Sequence, residues 1–268
     1  MLLRTMEIIS KISKGTKMDQ VYLPKNRHGF GIGSYVLITP LREPKETERP
    51  YFYNASIEPL KVHVIQRIFT VIDQYSTSYE NIIITGSFLE KGFSFNDIDI
   101  LLISEHKEEV EALTTAIEAL FGTKVQLLCL SNKELLKGLS TDPIYEMMLS
   151  SCVAKKRFIY KIERKLNYKH LDLQLLKSKS IFDNFELLDG HEKWYLIRNL
   201  VCLSLFIGNK KINNEEVNKK LANALGVDKG TIKKNMLDKK PFLQKYKDLY
   251  QKTFMQILNA IKHGTKQK

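Results

Sequence analysis

Cysteine is scarce and unpaired in this 268-residue chain: Cys129, Cys152 and Cys202 are odd in number, far apart, and include no Cys-x-x-Cys spacing. Their pattern excludes a disulfide framework and a thiolate zinc site, and reads the three as buried thiols of a reducing cytosol. The six histidines (His28, His63, His106, His170, His191 and His263) show no metal-ligand spacing either. No apolar run approaches the roughly 20 residues that a membrane helix needs. Residues 1–7, Met-Leu-Leu-Arg-Thr-Met-Glu, lack a signal-peptide core. A soluble, cytoplasmic protein with no membrane partner is expected. Acidic residues are also in short supply: 42 Lys+Arg face 30 Asp+Glu, a net charge of +12. The excess is uneven, at +3 over residues 1–80, −5 over 81–142 and +14 over 143–268. Such a basic half attracts polyanions, most simply nucleic acid. A lysine-rich surface that serves solubility gives the same composition.

Against that background one stretch stands out, Asn81-Ile-Ile-Ile-Thr-Gly-Ser-Phe-Leu-Glu-Lys-Gly-Phe-Ser-Phe-Asn-Asp-Ile-Asp-Ile-Leu-Leu-Ile103. Ile82 to Ile84 form a β-branched run ending at Thr85-Gly86, as a buried strand runs into a turn. After Ser87 come nine residues, then Asp97-Ile98-Asp99 at the head of a second apolar strand. Residues i and i+2 of a strand share a face, so both carboxylates project together. Side by side they repel, and burial makes that costly unless a cation or a proton intervenes. A hard, oxygen-seeking cation such as magnesium, bridging to phosphate oxygens, meets the need. Gly86 lets backbone amides approach a phosphate, and the Ser87 hydroxyl can donate to it. A hairpin carrying two surface aspartates fits the same letters.

Gly86-Ser87, the spacer and Asp97-x-Asp99 resemble the signature of the DNA polymerase β-like nucleotidyltransferase superfamily, over roughly residues 60 to 130. The resemblance implies that Gly86 and Ser87 bind nucleotide, with Lys91 in the spacer as a phosphate contact, and that Asp97 and Asp99 are the catalytic metal ligands. It further implies magnesium or manganese as cofactor, and ATP or another nucleoside triphosphate as substrate. Asn96 stands where members often carry serine. The chain departs from the family at the third carboxylate, expected on a later strand. In Thr123-Lys-Val-Gln-Leu-Leu-Cys-Leu130 that place is held by Gln126. A neutral amide is no general base at neutral pH and a poor ligand for a divalent ion. Glu90, Glu105 or an acid of the C-terminal half are the alternatives for the missing group.

Around this core the pattern predicts a helix from about Glu58 to Tyr75, with Val62, Ile65, Ile68, Phe69 and Ile72 at helical spacing, and another from Glu108 to Phe121, stopped by Gly122. Residues 41–57, charged and twice interrupted by proline, read as a linker. Upstream, short strands punctuated by turns are expected over 7–13, 20–23 and 34–38. The order Ile12-Ser-Lys-Gly15, Gln20-Val-Tyr-Leu-Pro-Lys25, Arg27, Gly33-Ser-Tyr-Val36 resembles the AbrB/MazE-like swapped-hairpin DNA-binding domains. That resemblance implies a homodimer through residues 1–40, with Lys14, Lys25 and Arg27 on nucleic acid. A β-ribbon packed on the catalytic domain is the alternative. Gly29, Gly31 and Gly33 imitate a dinucleotide fingerprint, but a strand follows them rather than a helix.

From Pro143 onward the sequence offers no convincing strand. A helix is expected from about His191 to Ile207, closed by Gly208-Asn209, with Trp194 and Tyr195 in the core, and a further one capped by Asn213 and Glu216. Leu221-Ala222, Leu225-Gly226-Val227 and Ile232 have the spacing of a helix-turn-helix, with Asn235 where a hydrophobic is usual. The fold class is therefore α+β: a small N-terminal β module (1–40), a linker (41–57), a mixed sheet with helices (58–142) and a helical domain (143–268). Two functions compete. One is a metal-dependent nucleotidyltransferase acting on a protein, RNA end or small molecule. The other is a catalytically weakened relative serving as a DNA-binding or antitoxin-type regulator.

Overall fold

The computed structural model describes residues 12–23, 25, 31–33, 36 and 49–264, except 77, 94, 107–109 and 161. Two compact units divide the chain, residues 1–46 and 47–268. In the first, β1 (Ile12–Ser13) pairs antiparallel with β2 (Gln20–Val21), Ile12 facing Val21. The connecting turn carries exposed Lys14 and Lys17, and Lys25 is exposed beyond β2. Arg27 and most of the strand expected over 34–38 lie outside the described residues.

The second unit runs β3 (Tyr51–Tyr53), α1 (Pro59–Tyr75), β4 (Asn81–Thr85), a single 3-10 turn (Ser87–Leu89), β5 (Asp97–Ile103), α2 (Val110–Phe121), β6 (Lys124–Leu130), α3 (Asn132–Thr141), α4 (Pro143–Leu149), β7 (Cys152–Ala154), α5 (Tyr168–Asn184), α6 (Gly190–Ile207), α7 (Asn214–Leu225), α8 (Lys229–Lys233) and α9 (Lys239–Gly264). The architecture is mixed α+β. Its five-stranded sheet has the order β3-β7-β4-β5-β6, with β5 and β6 parallel and the other neighbours antiparallel.

Strand alternation sorts the side chains between two layers. Ile82, Ile84, Ile98, Ile100, Leu102, Val125 and Val153 pack with Ile65, Ile68, Phe69 and Ile72 of α1 and Leu113 and Ile117 of α2. The opposite face of the same strands, Ile83, Leu101, Ile103, Cys152 and Ala154, packs on Leu135 and Leu139 of α3. Both layers continue the expected pattern, and Gly122 ends α2 with a left-handed φ of 63°. Such a residue favours glycine, which has no Cβ to clash.

Four expectations need correction. Tyr195, expected in the core beside Trp194, is exposed, and Cys129, read as buried, is only partly so. The stretch read as a linker contains β3, the edge strand. The half read as wholly helical contains β7, which enters the sheet between β3 and β4. Consequently the 142/143 boundary does not separate sheet from helices. Cys152-Val153-Ala154 escaped notice because it is three residues long and buried on both faces, so it has no alternation to detect.

The remaining helices form a bundle around α6, whose Trp194, Ile197 and the run Leu200–Phe206 are buried almost throughout. Helix α4 serves both cores: Tyr145, Met148 and Leu149 touch the sheet layer, while Ile144 and Met147 touch the bundle. Arg164 reinforces that junction with a two-pronged pair to Glu146 and a bond to the Lys210 carbonyl. The helix-turn-helix spacing does produce a turn, with Gly226 left-handed at φ 69°. Yet α8 stops after five residues, and Asn235 closes it at φ 57° while accepting a bond from Lys193. A helix that short cannot lie along a DNA groove as a recognition helix does. No described helix is long and apolar enough to cross a membrane.

Candidate active site

Three side chains share one face at the start of β5 and β6. Ile98 and Ile100 turn toward α1 and α2, so Asp97 and Asp99 necessarily turn to the other side. In the parallel register Asp99 lies opposite Gln126 of β6, and in the antiparallel register it lies opposite Thr85 of β4. The Gln126 amide donates a hydrogen bond to Asp97 Oδ2. The neighbour on the other side is already occupied: Thr85 is buried and donates to the Met148 carbonyl at 2.6 Å. Gln126 therefore stands where the sequence places it, beside the two aspartates.

Gly86 follows β4 with φ 84° and ψ −163°, a combination that is essentially glycine-only. A Cβ built on it would fall 1.9 Å from Asp99 Oδ2 and 2.9 Å from Asp99 Cγ. The turn backbone thus lies directly against the carboxylate, and any side chain at 86 would occupy its space. Ser87 begins the 3-10 turn and is half-buried. Lys91 is exposed in the loop that leads to β5.

A buried lysine holds that loop. Lys61 Nζ of α1 donates to the Glu90 carbonyl and to the Gly92 carbonyl at 2.6 Å, and sits 3.4 Å from Glu58. The rings of Phe88 and Phe95 lie 5.6 and 5.4 Å from it. Lys61 is committed to the scaffold of the turn.

The Asp99 carboxyl is raised from 3.8 to about 6, by burial first and then by the Asp97 charge, while Arg198 pulls it down. That Arg198 effect brings α6 to the site. The Arg198 guanidinium stacks 5.2 Å from the Tyr195 ring, and its buried Nε has no hydrogen-bond partner. Around it gather two lysines of α8. Lys229 pairs with Glu90 and lies 5.3 Å from the Trp194 ring. Lys233 is held below its ordinary pKa by burial first and then by Lys229 and Arg198. Asp99 thus feels the charge of Arg198 on the helical bundle, and Lys229 and Lys233 lie near that arginine.

The alternatives for the third carboxylate lead elsewhere. Glu90 is engaged by Lys229, and Glu105, at the far end of β5, accepts from the Asn132 amide at 3.3 Å. No cluster of three acidic, histidine or cysteine ligands occurs among the described residues. Two carboxylates on one strand face could hold a single divalent ion, since magnesium is commonly bound through one or two carboxylates.

The sequence reading missed Arg198, Lys229 and Lys233. A signal for the first existed: Arg198 interrupts the run Ile197 to Phe206, which is otherwise almost wholly apolar and buried. An arginine on the central helix of a bundle needs a reason. The two lysines carried none, being ordinary letters of a short helix. Compared with protein-family models, curated proteins and solved structures, the chain matches none of them.

Proposed function

We propose that this protein is a magnesium- or manganese-dependent nucleotidyltransferase. It moves a nucleoside monophosphate from ATP or another nucleoside triphosphate to the hydroxyl of a protein, an RNA end or a small molecule. The observation that carries the reading is the glycine-only turn at Gly86 pressed against the Asp99 carboxylate. It presses the turn backbone against one of the paired carboxylates, and this closeness of turn and carboxylate supports a phosphate and metal site there.

In this reading Asp97 and Asp99 hold the divalent ion, which supplies charge neutralisation of the triphosphate and a lowered pKa for the acceptor hydroxyl. Gly86 and Ser87 receive the phosphates, with the Ser87 hydroxyl as donor and Lys91 at the rim. Arg198 and Lys233 face the developing negative charge from the bundle. The acceptor hydroxyl would lose its proton to water as its oxygen bonds to the α-phosphorus, the bond from that phosphorus to the α–β bridging oxygen breaks, and pyrophosphate leaves with the charge those cations offset. Gln126 steadies Asp97 through its amide and takes no proton. Arg198→Gln is expected to weaken nucleoside triphosphate affinity by about tenfold or more, as befits a lost charge-assisted contact, and to weaken nucleoside monophosphate affinity far less. Titration calorimetry with the two ligands reads the difference.

Incubation with α-labelled ATP and magnesium tests the proposal. Label transferred to an acceptor with release of pyrophosphate, abolished by EDTA, is the expected result. A second reading, a weakened enzyme retained as a nucleotide-binding regulator, is favoured by Gln126 donating to Asp97 in place of a third carboxylate. Gln126→Asp separates the two. If the amide limits catalysis, the added anionic ligand raises metal-dependent turnover about tenfold or more. A vigorous wild-type activity that falls on substitution means that another acid already fills the role, or that Gln126 is not the counterpart of the third carboxylate.

A further inference from the structure

A second basic site lies at the other end of the sheet. Arg49, Pro50 and Tyr51, leading into β3, and Lys155, Lys156 and Arg157, leaving β7, line a cleft of about 320 Å³. The register fixes its place. Tyr51 pairs with Ala154 and Ala154 with Ile83, and the Lys156 amide bonds to the Asn81 side chain. Thr85, opposite Asp99, is four residues further along β4, about 13 Å away at the rise of a strand. The cleft is therefore separate from the carboxylate pair.

Its charge is unbalanced. Of the four cations only Lys155 is neutralised: its Nζ contacts both oxygens of Asp73 at 2.5 Å and the Tyr79 hydroxyl. Lys156 rests its ammonium 5.2 Å from the Tyr79 ring. Arg49, Lys156 and Arg157 are exposed and have no acidic partner among the described residues. Like charges gathered without a counter-charge repel each other, and an anion relieves them. Beside them Tyr51 is 44% exposed, a flat face open to a planar ligand on the edge strand of the sheet.

We infer that this cleft binds single-stranded nucleic acid. Arg49, Lys156 and Arg157 would hold successive phosphates, and a base would stack on Tyr51. Basic residues that track a backbone beside an aromatic platform are the pattern of sequence-tolerant single-strand binding. A duplex offers phosphates but buries its base faces, so Tyr51 would have nothing to stack on. This inference stands independently of the nucleotidyltransferase reading, since none of these residues touches that site.

The test uses the full chain and a fluorescein-labelled 12-nucleotide single strand in anisotropy titrations across a salt series. The wild type should bind at low salt and more tightly than to a blunt duplex of the same length. Lys156→Glu with Arg157→Glu should weaken binding at least tenfold and make the log–log salt slope shallower by about 1.4, two contacts at about 0.7 each. Tyr51→Ala should weaken binding about fivefold or more with the slope unchanged. Lys156→Gln with Arg157→Gln repeats the slope measurement with a milder change, should the charge reversal disturb folding. Absence of binding at low salt, equal affinity for duplex, or an affinity indifferent to both the charge and the Tyr51 variants would overturn the inference.

Discussion

Asp99→Asn is expected to remove magnesium-dependent nucleotide binding, by about 100-fold or more, while raising the melting temperature of the metal-free protein. The stability effect has a definite sign. In the folded chain the Asp99 carboxyl keeps its proton up to about pH 6, against 3.8 ordinarily. Between those values the folded state binds more protons than the unfolded one, so stability falls as pH rises through the window. Above pH 6 the full penalty is present: the charge is held beside Asp97 and only partly in water. A shift of this size corresponds to an upper figure of about 3 kcal/mol, which partial solvation reduces. The amide of asparagine is nearly isosteric and never carries the charge. Melting curves in EDTA should therefore show a wild type that loses stability from pH 4 to 7 and a variant that loses less, standing a few degrees higher at pH 7. Unchanged magnesium-nucleotide affinity in the variant would remove Asp99 from the site.

The second large effect is expected from Gly86→Ala. The methyl group would fall 1.9 Å from Asp99 Oδ2, and the backbone would have to hold φ 84°, which alanine rarely adopts. Strain of this kind costs about 1–3 kcal/mol. The carboxylate is the end of a side chain and can swing away, so the protein folds but the pair of aspartates no longer meets the turn. Nucleotide binding should fall as far as in Asp99→Asn, with the melting temperature moving in the opposite direction. Gly92→Ala provides the comparison: its φ is 77°, but nothing lies within 4 Å of the added methyl. It should carry the backbone cost alone and keep nucleotide binding. Equal losses at 86 and 92 would mean that backbone strain, and not the carboxylate, explains Gly86.

The contrast between these glycines shows how far the sequence could be read. Strand β4 announced itself through Ile82 to Ile84, and β5 through Ile100 to Ile103, because buried strands are short apolar runs and turns interrupt them. Helix α1 was legible from its repeating apolar face, and its expected span of Glu58 to Tyr75 differs from the observed Pro59–Tyr75 by one residue. The spacing of Asp97 and Asp99 alone put both on one side of the strand. Register across strands is different. That Gln126 lies opposite Asp99 follows from how two strands slide against each other, and only an alignment with a known pattern suggested it. Strand β7 was beyond reach, since three buried residues satisfy strand and helix equally. Arg198 reaches the site through tertiary packing: α6 begins 91 residues after Asp99, and no local period links them.

The most direct test of the proposed magnesium–nucleotide site is titration of the wild type and Asp97→Asn with a non-hydrolysable nucleoside triphosphate, with and without magnesium. Binding by the wild type that requires magnesium, and its loss in Asp97→Asn with the fold intact by circular dichroism, is the expected result. A wild type that binds no nucleotide in the presence of magnesium, or a variant that binds it equally well, would contradict the assignment of Asp97, Asp99 and the Gly86 turn.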